Sequence, residues 1–399
     1  MKKIELLAPA GDLERLKIAA MYGADAIFIG GKRFSLRSRA SNFDIASIKE
    51  GVDFAKTYNA HVHVTINMLP HDSDLDGLKT YIKQLEDAGV TAVICASLHI
   101  ALQVLSLNTS MEVHLSTQQS TLNKAAVEFY EEMGIKRVVL GRELSLDQVV
   151  NITEAANVDI EAFIHGGMCS NFSGRCTMSN YMTFRDANRG GCAQSCRWSY
   201  EISANDEIIS DENTLYSQSS KDLMSAEYIE GLIKGNIRSL KIEGRMKSLY
   251  YIATVVRGYR HLIDEIYEKG SLSEASLAQH ISEITRAENR PVAGGFYGSA
   301  PSEHEHIYRV HAERVSHDFL GRVLEVKDNH ILLEVRNRFE KGDTLEFFGP
   351  DKDVLKQTFT EAFDAKTEEK ITVCNKPMQH VWIKTDLPLQ AHYFMRKGD

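Results

Sequence analysis

The chain is 399 residues long, 43% hydrophobic and 25% charged, a soluble profile with room for two or three domains and a large core. Its formal net charge of −9 argues against non-specific coating of nucleic acid, though a local basic patch can still dock one folded RNA. No apolar run approaches the roughly 18 residues of a membrane span, and the short apolar stretch of MKKIELLAPAGD, broken by Glu5, makes no signal peptide, so the cytoplasm is the expected location.

Eight short β-branched or apolar runs follow one another: IELLA (4–8), AIFIG (26–30), HVHVTIN (61–67), AVICA (92–96), EVHLS (112–116), RVVLG (137–141), IEAFIHG (160–166) and SLKIEG (239–244). Each leads into a helical pattern or a turn, such as DLERLKIAAMYG after the first. Eight βα units in series predict a (β/α)8 TIM-type barrel. A doubly wound open sheet is the alternative, but LAPAGD stands where a G-x-G-x-x-G would follow the first strand.

The seventh unit is abnormal, because about seventy residues separate run seven from run eight. The barrel is therefore expected over 1–300, with a cysteine-rich insertion at 166–236 after strand seven. An insertion at the C-terminal end of a barrel strand lies on the face where barrel active sites are built. Within it, RWSYEI, EIIS and YSQSSKDL read as short strands or a hairpin, followed by a helix near 225–234. After a helix around 247–268, PVAGGFYGSAPS (291–302) reads as a linker. Beyond it, FLGRVLEVKDNHILLEVRNRF, KGDTLEFFGP, KITVCN and HVWIKTD alternate with period two, predicting a small antiparallel β-barrel domain over 301–399.

Four of the six cysteines crowd into one stretch: Cys169, Cys176, Cys192 and Cys196, spaced C-x6-C, fifteen residues, C-x3-C. A reducing cytosol favours a shared metal or iron–sulfur cluster over disulfides. A zinc ribbon prefers C-x2-C pairs, and Ser199 stands where a radical-SAM triad would need its third cysteine. Spacing alone leaves an iron–sulfur cluster and a structural zinc both open, with free thiols as a third reading. Gly166, Gly167, Gly174, Gly190 and Gly191 let backbone fold tightly around such a site. Arg175, Arg185, Arg189 and Arg197 flank it and can offset its charge or simply face water. Cys95 and Cys374 alternate with apolar neighbours and read as buried structural thiols.

The run EAFIHGGMCSNFSGRCTMS (161–179) resembles the signature of the U-32 peptidase family, the collagenase-like proteases. Glu161, Phe163, Gly166, Cys169, Gly174, Cys176 and Ser179 fall on its fixed positions. Gly167 stands where the family carries Ser or Ala. LLAPAG, ADAIFIGG, HLSTQ and KIEGRMKS are similar to the family as well, so the resemblance covers most of the barrel. It is strongest to the prephenate-dependent tRNA hydroxylation proteins, which form 5-hydroxyuridine at the wobble position. A ribosomal-RNA cytidine hydroxylase and an anaerobic ubiquinone-hydroxylation pair are relatives. The resemblance implies a four-iron four-sulfur (4Fe-4S) cluster on Cys169, Cys176, Cys192 and Cys196, prephenate as co-substrate, and tRNA as partner. It also leaves room for a paralogous U-32 subunit.

Other residues carry parts of that expectation. Prephenate has two carboxylates, and Arg binds a carboxylate bidentately. Candidates at strand ends are Arg33, Arg37 and Arg39 after strand two, Arg142 after strand six, and Arg245 and Lys247 after strand eight. Arg37, Arg142 and Arg245 are taken as substrate-binding. His165 and Arg245 are taken as catalytic, His165 because it ends strand seven and can move a proton; a rim histidine bonded to backbone is its plainer reading. His114 is expected inside the barrel, and Glu243 and Asn67 at the rim. Tyr181, Phe184, Trp198 and Tyr200 lie among the arginines, an interleaving that can stack an unpaired base or cover a cluster. A peptidase is the alternative function, although H-E-x-x-H, G-x-S-x-G and an evident Cys–His pair are all missing. A subunit that works only with a paralogue is another.

Overall fold

The computed structural model describes residues 3–36, 42–211, 215–287, 290–307, 318–351 and 353–398. Eight parallel strands form the barrel wall: β1 (Glu5–Pro9), β2 (Ala26–Gly30), β3 (His61–Ile66), β4 (Ala92–Cys95), β5 (Glu112–Leu115), β6 (Arg137–Val139), β7 (Asp159–Gly166) and β8 (Ser239–Ile242). Each pairs with the next, and β8 pairs with both β7 and β1, which closes the ring. The open-sheet alternative is thereby excluded. Among the described residues no helix is long and apolar enough to cross a membrane.

Strand parity sorts the side chains. Leu6, Ile27, Ile29, Val62, Val64, Val93, Cys95 and Leu115 face the surrounding helices and join the main core. Leu7, Ala26, Phe28 and Ile94 form a separate small cluster inside the ring. Much of the rest of the interior is polar or charged. Arg137 bridges Glu5 (2.5 Å) and Glu161 (3.2 Å), Lys241 reaches Glu161 (2.7 Å), and Ser239 donates to Glu5 (2.7 Å). The Lys241 ammonium also lies 4.6 Å from the Phe28 ring centre. His63 and His114 meet edge to face at 4.9 Å in the same layer, His114 being inside the barrel as its alternation predicted. Burial pushes the His63 imidazole down to about 3, so it is neutral at physiological pH.

The insertion leaves β7 and returns to β8 with the expected hairpin, Ser203–Ala204 against Glu207–Ile208, and the expected helix, Ile229–Lys234. Between them Asp222–Met224 runs antiparallel to the end of β7, placing Leu223 opposite Gly166 and Met224 opposite His165.

The C-terminal unit is an eight-stranded antiparallel sheet curled into a half-barrel, with Phe319–Lys327, His330–Val335 and His380–Lys384 paired through its middle. Cys374 is buried in its core. Phe348 and Phe394 pack into the barrel's own core, and Arg396 ties Glu346 to Glu283 at 2.9 Å each. The Tyr22 hydroxyl donates to the His392 carbonyl (2.8 Å) across the same junction.

Burial alone would raise the Glu5 and Glu161 carboxyls; the cations beside them outweigh it and hold both below the ordinary range. Their contribution is present at neutral pH and is lost as pH falls through and below that range. Arg137→Leu leaves buried carboxylates short of a cation and is expected to cost about 3–5 kcal/mol in a neutral-pH denaturant titration. Arg338→Leu removes only an exposed pair with Glu340 and is expected to cost less than about 1 kcal/mol. Equal losses would show that the buried network carries no special weight.

Candidate functional site at the barrel mouth

The cysteine segment folds over the C-terminal end of the barrel as short turns (Phe172–Gly174, Ala187–Arg189, Ser195–Arg197) around the helix Met178–Thr183. It starts at Gly166, whose φ of +103° and whose closeness to Glu243 exclude a side chain: a Cβ there would lie 2.3 Å from the Glu243 carbonyl oxygen.

Polar clamps hold the segment down. Arg189 grips Asp74 through two hydrogen bonds of 2.9 and 2.6 Å. Glu143 accepts from the Ser173 amide (2.5 Å) and hydroxyl (2.8 Å). Arg175 donates to the Gln118 carbonyl (2.5 Å), and Arg197 to the Met168 carbonyl (3.0 Å) and Ser219 hydroxyl (2.9 Å). The segment is thus fixed to the loops after β3, β5 and β6 and to its own root.

All four clustered cysteines are free of disulfides; Cys169 and Cys192 are exposed, Cys176 and Cys196 half-buried. Packing around its sulfur pushes the Cys169 thiol up; an Asn171 hydrogen bond and Arg142 pull it down, while Cys196 and Cys176 push it further up. Those three thiols therefore share one electrostatic neighbourhood. Asn171 also donates to the Cys176 sulfur at 3.2 Å. Among the described residues no three Cys, His, Asp or Glu side chains already stand at metal-ion spacing. The donor set itself, clustered thiols with amide N–H and arginine neighbours, suits an iron–sulfur cluster chemically.

Cations gather beside the thiols. Asp222, at the root of the insertion, is approached by Arg197 (3.6 Å), Lys247 (3.6 Å) and Arg290 (3.7 Å), each from a different loop. Its Oδ1 is buried and accepts no hydrogen bond. Burial pulls the Lys247 ammonium down while Asp222 holds it up. Arg142 lies flat over Phe163, 3.7 Å from the ring centre. With Glu143, Met168, Cys169, Phe172 and Phe296 it lines a cavity of about 150 Å³.

The other expected site residues fall in varied places. Arg245 crosses the mouth, but its fork is engaged: Nη1 donates to Ser35 and Thr65 (3.0 Å each), and Nη2 donates to the Leu36 carbonyl. Gly30 makes room, since a Cβ there would sit 2.0 Å from Arg245 Nη1. Arg245 therefore anchors the loop that leads into Arg37. Arg37 and Arg39 lie outside the described residues. Arg33 donates to the Asp76 carbonyl and packs on Phe34. His165 points away from the mouth; its Nδ1 lies 3.2 Å from the Tyr259 hydroxyl on the helix Leu249–Lys269, and burial with Lys247 nearby lowers its pKa to about 3. Glu243 receives the Tyr251 hydroxyl at its carbonyl (3.0 Å), and Asn67 links Leu36 to Gln118 (3.1 and 3.2 Å). Tyr181 and Phe184 stand in solvent, and Tyr200 donates to the Ser195 carbonyl (2.6 Å).

Sequence reasoning missed Asp222, Arg290, Glu143 and Gln118. Glu143 follows the candidate Arg142, and Gln118 ends the run HLSTQ. Asp222 and Arg290 carry no local signal.

Two family models match this chain, peptidase family U32 over residues 11–307 and the peptidase family U32 C-terminal domain over 315–396. The chain belongs to peptidase family U32. It is 44% identical to tRNA hydroxylation protein P1 of Bacillus subtilis (strain 168), over all of this chain and 95% of that protein. It is 30% identical to tRNA hydroxylation protein P of Escherichia coli K12, over 98% of this chain and 96% of that one. A U32 relative called collagenase, from Porphyromonas gingivalis W83, is 30% identical over 92% of each. In this U32 chain the two cysteines outside the cluster are poor nucleophiles, because burial pushes Cys95 and Cys374 up to about 12.

Arg245→Lys keeps the charge and loses the fork. Charge-assisted hydrogen bonds contribute about 1.5–3 kcal/mol each, so hydrogen–deuterium exchange of the amides in 31–36 is expected to quicken roughly tenfold or more. Unchanged exchange would show that Arg245 does not anchor that loop.

Proposed function

We propose that this U32 chain hydroxylates RNA: it forms 5-hydroxyuridine at the wobble position of tRNA, in a prephenate-dependent reaction that needs a 4Fe-4S cluster. The observation that carries the reading is a thiol-rich loop clamped over the mouth of a closed barrel, in a chain similar along its whole length to tRNA hydroxylation proteins.

Cys169, Cys176, Cys192 and Cys196 would hold the cluster, which when bound supplies electron transfer or Lewis-acid iron beside the mouth. The chain's own residues do the rest. Arg197, Lys247 and Arg290 bind the carboxylates of prephenate, with Asp222 spacing them and offering Oδ1 to a hydroxyl of the ligand. Arg142, flat on Phe163, faces the cavity beside Cys169 and steadies a second anionic group. Arg245 positions the loop after β2 as far as Leu36. His165 is neutral at physiological pH and acts by fixing the end of β7 to Tyr259. The Asn67–Gln118 pair and the Glu143 clamp keep the mouth's rim rigid under the incoming uridine.

A peptidase reading draws on the collagenase relative. It requires cleavage of an unfolded chain that survives loss of the clustered thiols. A chain that works only with a paralogous U32 subunit would be inactive when purified alone and regain activity on adding that subunit.

Protein purified without oxygen is expected to hold about four irons and four acid-labile sulfides per chain, and a strain carrying Cys169→Ser to lack 5-hydroxyuridine in its tRNA nucleosides while chain level is kept. Zinc in place of iron, or full 5-hydroxyuridine in the variant, would overturn the reading.

A further inference from the structure

We propose that the turn 177–185 is a stacking platform for the unpaired bases of an RNA loop. The proposal rests on the RNA reading above and names the surface that would grip the substrate next to the thiols.

Tyr181 is 88% exposed and Phe184 is 97% exposed. Neither ring can serve the core, and two aromatic rings held in water beside a functional loop call for a ligand. The backbone adds a second observation. Phe184 has φ +55°, in the left-handed region that a bulky residue seldom occupies, fixed there by its amide bonding to the Asn180 carbonyl at 2.9 Å. Strain of this kind is retained where presentation of a side chain matters.

The rings border an open depression of about 820 Å³ whose polar lining is Asn171, Thr177, Asn180 and Gln218. Carboxamides both donate and accept, which suits the edges of an unstacked base. Asn171 also touches the Cys176 sulfur (3.2 Å), so a base in the depression lies against the cysteine loop. Charge points the same way. Residues 169–200 carry four arginines and a single aspartate, in a chain of net charge −9. The Arg185 guanidinium spans this turn to the Cys192 carbonyl (3.3 Å) and keeps a buried Nε without an acceptor. Aromatic faces, amides and local positive charge together match single-stranded RNA, whose bases stack while its phosphates meet the arginines. A regular duplex hides its base faces and does not fit.

The test uses the full chain purified without oxygen and fluorescence anisotropy. The probe is an unmodified RNA stem-loop with a uridine-containing loop; the control is a blunt duplex of the same stem. The double variant Tyr181→Ala, Phe184→Gly should bind the stem-loop roughly tenfold to a hundredfold more weakly, with duplex binding unchanged. Glycine is at ease at φ +55°, so the thermal midpoint should hold and loss of binding will not reflect unfolding. Tyr181→Phe should keep wild-type affinity, and Arg185→Ala should lower the salt slope by about one. Wild-type affinity in the double variant, or equal wild-type binding of duplex and stem-loop, overturns the platform and leaves the hydroxylase reading intact. Tight, ring-dependent binding with no 5-hydroxyuridine in the cell overturns the hydroxylase reading and leaves the platform.

Discussion

Glu161 sits on β7 with no exposure to solvent and takes Lys241 from β8 and Arg137 from β6. Arg137 passes the connection on to Glu5 of β1. Four neighbouring strands are therefore held by one buried ion set across the seam where the ring closes. Removing two charges from water is costly, so such a set stabilises only while every partner is present. That condition makes the seam specific: a slip of one residue on β7 or β8 would strand Glu161 or Lys241 on the apolar side. The apolar cluster above it, Leu7, Ala26, Phe28 and Ile94, is small, so the ionic layer is a large part of what fills the barrel.

The seam also dictates where the site is. The long insertion leaves the rim at the end of β7, comes back to the same place as Asp222–Met224, and then passes through the helix Ile229–Lys234 to the start of β8, which runs parallel to β7. Its cysteine loop consequently starts within reach of Arg142 on one side and Lys247 on the other. The Asp222–Met224 strand returns beside the end of β7 and brings Asp222 to the same spot. Arg197, Lys247 and Arg290 then have a common centre, though they are far apart in sequence. The loops after strands seven and eight are where barrels commonly bind anionic groups, and here both are rooted at that seam.

Much of this was legible in the residues. Strands buried on both faces read as continuous apolar runs, and all eight runs became barrel strands in the expected order. The cysteine spacing marked the insertion, and period-two alternation marked the C-terminal sheet. His165 shows what was not legible. By parity it belongs with Glu161 and Phe163, facing inward. The pairing with β8 shifts between Lys241 and Ile242, so His165 pairs one step out of phase and turns toward Tyr251 and Tyr259. Arg245 reached the expected end of β8, but which oxygens its fork meets depends on how the loop after β2 folds back. Asp222 and Arg290 meet only because a strand from the insertion lies beside one that follows the last helices, a pairing with no local signal.

An acidic chain and a polyanionic substrate are compatible when charge is unevenly distributed. At physiological salt the Debye length is about 8 Å, so a phosphate at the mouth responds to nearby groups and little to carboxylates on the far side. In the proposed RNA reading it would meet Arg175 and Arg185 near the mouth, while the ion pair with Asp74 keeps Arg189 oriented. Acidic surface elsewhere then helps, since it disfavours binding of RNA in any other orientation. In the proposed RNA reading, this arrangement would select one folded RNA through weak attraction overall, a short basic arc, and exposed rings that reward only bases free to leave a helix.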